Sequence, residues 1–169
     1  MKRLICFALA ILFSMQLCSC KQEKEKIQKP VNFYYRNSET GYGSERGVIS
    51  PQVAESEGID KQIDILNKYL RGATDTSHVA TFPASTKILE LTVIESTAYL
   101  KMNDALARFT GMELTVACAC ITLTVMDLTG VSNVNIRTSN EPLDGSESIN
   151  MNLENLMLLD LYTPETTQE

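Results

Sequence analysis

Apolar residues recur along this chain with two different periods. In "VNFYY", Val31, Phe33 and Tyr35 alternate with Asn32 and Tyr34. Alternation in a β-branched and aromatic stretch predicts a strand. The turn-rich "RNSETGYGSERG" follows, and then "VISPQVAE", a short extended segment that Pro51 confines to a sheet edge. In "GIDKQIDILNKYLRG" the period changes. Ile59, Ile63, Leu66 and Leu70 fall on one helical face, and Arg71 and Gly72 give a C-terminal stop.

Period two returns in "KILELTVIESTAYLKM". Ile88 or Leu89, then Leu91 and Val93, precede a bend at Glu95-Ser96, and Ala98, Leu100 and Met102 follow it. This predicts a hairpin. "NDALARFTG" reads as a short helical turn, and Val134 and Ile136 in "VSNVNIRTS" predict another strand. The apolar "NLENLMLLDLY" fits a helix or an extended arm equally well.

Between these lies "VACACITLTVMDLTG", Val116 to Gly130. Its three threonines and its valines weaken helix propensity, and "ITLTV" alternates as a strand would. Glu113 to Thr129 is nevertheless longer than the usual strand of about 3–10 residues, which favours a helix. Such a helix has two apolar stripes. Leu114, Ala117, Cys118, Ile121, Val125 and Leu128 form a broad face suited to a sheet. Val116, Cys120, Leu123 and Asp127 form the opposite row. A helix apolar nearly all round is buried on more than one side. Two covers suggest themselves for Val116, Cys120 and Leu123: the C-terminal "LENLMLLDL", slightly favoured, or a neighbouring molecule, for which these residues would form an interface.

The N-terminus changes the picture of composition. "MKRLICFALAILFSMQLCSC" has a basic start, an apolar run and a small-residue end, the layout of an export signal. The run is shorter than the ~20 residues of a spanning helix. Leu17 to Cys20, "LCSC", resembles the bacterial lipobox, which implies cleavage after residue 19 and lipid attachment at Cys20. Cys18 is the competitor, with less suitable residues before it. A diacylglyceryl group supplies the two acyl chains that stable anchoring requires, so the expected location is the extracytoplasmic face of the cell membrane. Residues 20–30, charged and poor in apolar side chains, read as a tether.

Of five cysteines, Cys118 and Cys120 then remain as thiols, and no separated pair exists to staple the fold. Loss of Lys2 and Arg3 leaves thirteen basic against twenty-one acidic residues, a net charge of −8 in place of −6. That balance argues against a nucleic-acid partner. The remaining 150 of 169 residues suit a single core.

Candidate chemistry is sparse. His78, the one histidine, stands in the polar loop "TDTSHVATFP" and reads mainly as a solvated side chain, though a Ser-His-acid group could assemble in space. "GYGSERG" (Gly41–Gly47) lacks the lysine and helix of a phosphate loop. Asp144 and Glu147 do not have calcium-loop spacing and read as turn acids. Two thiols and a distant histidine do not complete a Cys/His zinc site. Cys118-Ala119-Cys120 lacks the Cys-x-x-Cys spacing of a redox pair. No catalytic residue, metal or cofactor is expected.

The order of elements and four local stretches resemble the GerM-type domain of sporulation and spore germination. These are "VNFYY" with its glycine-containing turn, "LNKYLRGA", "FPASTKILELTVIESTAYLKMND" and "ITLTVMDLTGVSNVNI". The resemblance spans residues 31–141 and leaves 142–169 as a C-terminal extension. It implies an α+β fold in which two helices pack on a small mixed sheet in β-β-α-β-β-α-β order, like the ring-building motif of secretion systems. It implies an assembly or interaction role in sporulation, germination or a related envelope complex, with protein partners or self-association. The best-known member carries two such domains, and the pattern occurs once here. The alternative is a ligand-binding accessory lipoprotein of a transport or cell-wall system.

Overall fold

The computed structural model describes residues 30–39, 47–54 and 61–156. The export signal, Cys20 and most of the tether lie outside them, as do most of Gly41–Gly47 and residues 157–169.

The fold is α+β, with two helices and six strands among the described residues. Strand β1 (Val31–Arg36) pairs antiparallel with β2 (Ile49–Ala54). Helix α1 (Gln62–Tyr69) follows. The hairpin β3 (Ile88–Ile94) and β4 (Thr97–Met102) comes next, then a 3-10 turn at Leu106–Arg108. Helix α2 (Gly111–Thr129), β5 (Asn133–Thr138) and β6 (Ile149–Asn152) complete the order. The strands do not form the one sheet expected. They divide into the β1–β2 ribbon and a four-stranded sheet in the order β3-β4-β5-β6. Strand β6, which ends on the first residue of the ambiguous "NLENLMLLDLY", is the outer strand of that sheet. Of the ambiguous stretch, residues 153–155 form a turn and 157–162 lie outside the described residues.

Helix α2 explains the division. It packs against β1 on one side and against β5 and β6 on another. Eleven of its nineteen residues are buried. Two layers need two apolar stripes, which is why the segment is apolar nearly all round. Each fully buried Leu, Ile or Val adds about 1.5–3 kcal/mol, so the helix anchors both layers at once.

The threonines that weaken the helix propensity have a structural use. Among the described residues no strand lies beside the outer edge of β1, so the N–H groups of Asn32, Tyr34 and Arg36 need acceptors. Asp127 Oδ2 accepts from Asn32 N (2.8 Å), and Thr124 Oγ1 accepts from Tyr34 N (3.0 Å). Thr81 Oγ1 accepts from Arg36 N (3.0 Å). The Tyr69 hydroxyl donates to Tyr34 O (2.8 Å), which closes the edge from α1. Side chains thus replace a neighbouring strand.

Period-two reading holds closely in the hairpin. Val93 faces Ala98, Leu91 faces Leu100 and Ile88 faces Met102. A register irregularity between Ile88 and Glu90 turns Leu89 out, so Ile88 is the buried member of that pair. Glu95 takes φ of +53° at the bend, as the tight hairpin turns require. In α1 the buried residues are Ile65, Leu66 and Tyr69. The expected stripe omitted Tyr69, and Ile63 is only half-buried. Ile59 lies outside the described residues. Tyr69 is recruited by an aromatic cluster with Phe33, Tyr35 and Phe82, ring centroids 5.0–5.2 Å from it.

Thr124→Val keeps the side-chain shape but leaves the Tyr34 N–H without its acceptor. The expected loss is about 1–3 kcal/mol, read as a lower urea midpoint by circular dichroism. An unchanged midpoint would show that this edge contact contributes nothing.

Candidate interaction surface

The three residues read as an interface candidate are inside the chain. Val116 and Leu123 are each 6 % exposed and Cys120 is fully buried. Leu123 packs with Ala119 and Leu156, next to Tyr34, Ile49 and Met151. The β1–β2 ribbon, β6 and Leu156 therefore cover Leu123, while Val116 and Cys120 belong to the main core. A partner could not reach these side chains without displacing what covers them.

Both thiols are buried as well. Desolvation pushes the Cys118 thiol up to about 12. Burial raises Cys120 further, with Cys118 adding to the effect. Both stay neutral at physiological pH, and neutral buried thiols behave as small apolar side chains.

His78 is not a solvated loop residue: its side chain is 3 % exposed. Its Nδ1 lies 2.7 Å from Asp75 Oδ1, and its Nε2 lies 2.9 Å from Ser50 Oγ. These distances match a Ser-His-Asp triad. Hydrogen-bond directions argue otherwise. Asn37 Nδ2 donates to Gly47 O (2.9 Å), which aims Asn37 Oδ1 at Ser50. The Ser50 hydroxyl donates to that oxygen. Its one proton is committed to Asn37, so it does not face the imidazole that would act as base. Ser50 also sits in a paired strand, opposite Tyr35. The cluster ties β2, the end of β1 and the 75–78 loop together. Asp75 is held below the usual carboxylate range, first by the Ser77 hydroxyl and then by His78. Its stabilising bonds are therefore present above the ordinary carboxylate range and lost on acidification below it.

The turn acids have plain structural partners. Asp144 Oδ2 accepts from Gly111 N (3.2 Å) at the start of α2, where Thr110 makes no side-chain cap. Glu147 is exposed. A polar hollow of about 550 Å³ is lined by Ser85, Asn103, Asp104, Arg108 and Glu141 among others. Asp104 is already engaged there. Its oxygens accept from Asn140 N and Nδ2, both at 2.8 Å, and from Glu141 N at 3.3 Å.

The conspicuous surface feature is the β3–β4 hairpin. Leu89, Val93, Ile94 and Tyr99 are 46, 44, 56 and 44 % exposed. Strand β3 is also the end of its sheet. Asn67 of α1 closes the first residue of that edge, giving Ile88 N an acceptor at 2.9 Å and Ile88 O a donor at 3.1 Å. Beyond Ile88, pairing alternates. Glu90, Thr92 and Ile94 turn their backbone groups to β4, and Leu91 and Val93 turn theirs to the open edge. Sequence reasoning identified the hairpin and the alternation of Leu91 and Val93, but not that their strand would lie at the sheet's edge. The missing information was which strand would be outermost.

This is a small two-helix α+β domain that presents an apolar strand edge and no assembled catalytic group among its described residues. The chain belongs to the Germane family, described as sporulation and spore germination, whose model matches residues 32–144. Three solved structures are similar in fold. The first GerMN domain of the sporulation protein GerM from Bacillus subtilis is 12 % identical with a TM-score of 0.51, and the match covers 70 % of this chain and 91 % of that one. The tandem GerMN domains of the same protein are 15 % identical with a TM-score of 0.47, covering 71 % of this chain and 43 % of that one. A protein described as a lipoprotein, from Clostridium perfringens, is 18 % identical with a TM-score of 0.43, covering 75 % and 88 %. No curated protein matches this chain.

Because its proton goes to Asn37, Ser50 should resist fluorophosphonate labelling in the folded protein. Stoichiometric labelling, abolished in Ser50→Ala and in His78→Gln, would establish a working nucleophile instead.

Proposed function

We propose that this protein is a lipid-anchored component of the bacterial envelope that acts in sporulation, germination or a related envelope process by contacting protein, not by catalysis. The carrying observation is the apolar β3–β4 hairpin, with Val93, Ile94 and Tyr99 exposed beside an unpaired strand edge. Exposed apolar clusters and open strand edges are costly to keep in water and invite association. The family to which the chain belongs gives the setting. The lipobox-like "LCSC" gives the anchor, with Cys20 carrying the lipid, residues 21–30 forming the spacer and the domain facing away from the cytoplasm.

The anchor and the contact surface are separable. Cys20→Ala should abolish lipid labelling and release the protein from the membrane fraction. Labelling that persists at wild-type level would reject Cys20 as the attachment site.

For the surface, a photo-crosslinking amino acid placed at Tyr99 should trap protein in intact cells. The same probe at Val79, an exposed position elsewhere on the domain (38 % exposed), should trap little. Equal yields at the two positions would remove the hairpin as the contact surface.

A further inference from the structure

We infer that the partner at this surface is a second copy of the same chain, joined by antiparallel pairing of the two β3 edges about a two-fold axis at Thr92. The inference rests on the reading of the β3–β4 hairpin as a protein-contact surface, and it names the occupant.

The other long strand edges are managed. Side chains of Asp127, Thr124 and Thr81 close β1. Strand β2 carries Pro51, which has no N–H to offer. Strand β6 has four residues. Strand β3 has seven, and only its first is capped. The open window runs from Glu90 to Ile94, bounded by Asn67 at one end and by the Glu95-Ser96 bend at the other.

The backbone directions in this window are independently fixed. Ser96 O accepts from Asn133 N of β5 (3.0 Å), and Asn103 N donates to Lys87 O (3.0 Å). Even-numbered residues of β4 therefore face β5, and odd-numbered ones face β3. Thr92 and Ile94, opposite Tyr99 and Thr97, spend their backbone groups inside the hairpin. Among the described residues no strand pairs with those of Leu91 and Val93, which face a new neighbour.

A window with its free residues at 91 and 93 is self-complementary about 92. In two-fold antiparallel register, Leu91 of one copy lies opposite Val93 of the other. Each such pair exchanges two N–H···O bonds, and the two pairs together use every free backbone group in the window. Parity is preserved, so Leu91 and Val93 of both copies share the inner face. That juxtaposition covers Val93, now 44 % exposed. On the outer face Thr92 meets Thr92 of the second copy, a favourable cross-strand pair. Charge agrees with this register. The Glu90 carboxylate is neutralised within its own chain by Lys101 at 3.2 Å. Glu95 at the bend is carried toward the start of the second strand, where Lys87 stands. Pairing cannot extend past Glu90, because Asn67 occupies the edge at Ile88. The contact is therefore closed, giving a dimer with a continuous eight-stranded sheet and not an open array.

The test is a position-specific disulfide in the full-length chain, expressed with its own leader. Facing Thr92 residues would form a non-hydrogen-bonded pair with Cα atoms about 4.5 Å apart, within disulfide range. Thr92→Cys should give covalent dimer on mild oxidation. Asn135→Cys, on the same outer face but two strands inward, should give no more dimer than wild type. Val93→Pro removes an edge-facing N–H without breaking a hairpin bond, and should weaken dimerisation about tenfold or more in analytical ultracentrifugation while the protein still unfolds cooperatively. Dimer from Thr92→Cys at or below the Asn135→Cys level overturns the proposal, as does unchanged dimerisation of a folded Val93→Pro protein. If Thr92→Cys stays monomeric while a probe at Tyr99 traps a different protein, the second copy is rejected and the contact surface itself stands.

Discussion

The structure depends on one constraint: every strand edge must find partners for its backbone polar groups. Among the described residues, six strands divided between two sheets leave four edges, and each is handled differently. At β1 the solution is side chains from a helix, with Asp127 and Thr124 of α2 reaching Asn32 and Tyr34 at 2.8 and 3.0 Å. Buried unpaired N–H groups are costly, so the helix is held to the ribbon by a polar seam as well as by apolar packing. The same helix buries Leu114, Ala117, Ile121 and Val125 in the main core. It is the middle layer on which the other two assemble.

This arrangement accounts for an internal contradiction in the sequence. "ITLTVMD" has β-branched residues that suit a strand and a position that demands a helix. Thr124 and Asp127 are present because the edge of β1 needs acceptors at that spacing. Propensity is overridden by tertiary contacts, and the residues responsible for the conflict are among those making them. The His78 cluster follows a similar logic at the end of β1. Ser50, Asn37 and Asp75 converge on the imidazole and fix the loop to the strands. Its resemblance to a catalytic triad is one of distance; hydrogen-bond direction separates the two.

At one edge the constraint is left unmet among the described residues. Strand β3 keeps two residues of open backbone flanked by exposed Leu89, Val93, Ile94 and Tyr99. Domains that associate by strand addition obtain affinity from backbone bonds and selectivity from alternate side chains. The residues expected at an interface are buried within the chain: Val116 and Cys120 in the main core, and Leu123 against Ala119 and Leu156 beside the ribbon and β6.

The sequence by itself determined the strands at Val31–Arg36 and Asn133–Thr138, the hairpin with its bend at Glu95-Ser96, and the presence of two helices. These rest on local periodicity and turn chemistry, which are short-range. It also determined the acidic charge and, through the ordered set of local stretches, the family. Tertiary structure decided the rest. It decided that the strands form two sheets, that Ile149–Asn152 adds β6, and that His78 is enclosed. It decided too that Leu91 and Val93 stand at an edge. Alternation specifies which residues share a face of a strand, but whether another strand lies alongside depends on chain segments remote in sequence, and that pairing fixes which backbone groups remain open.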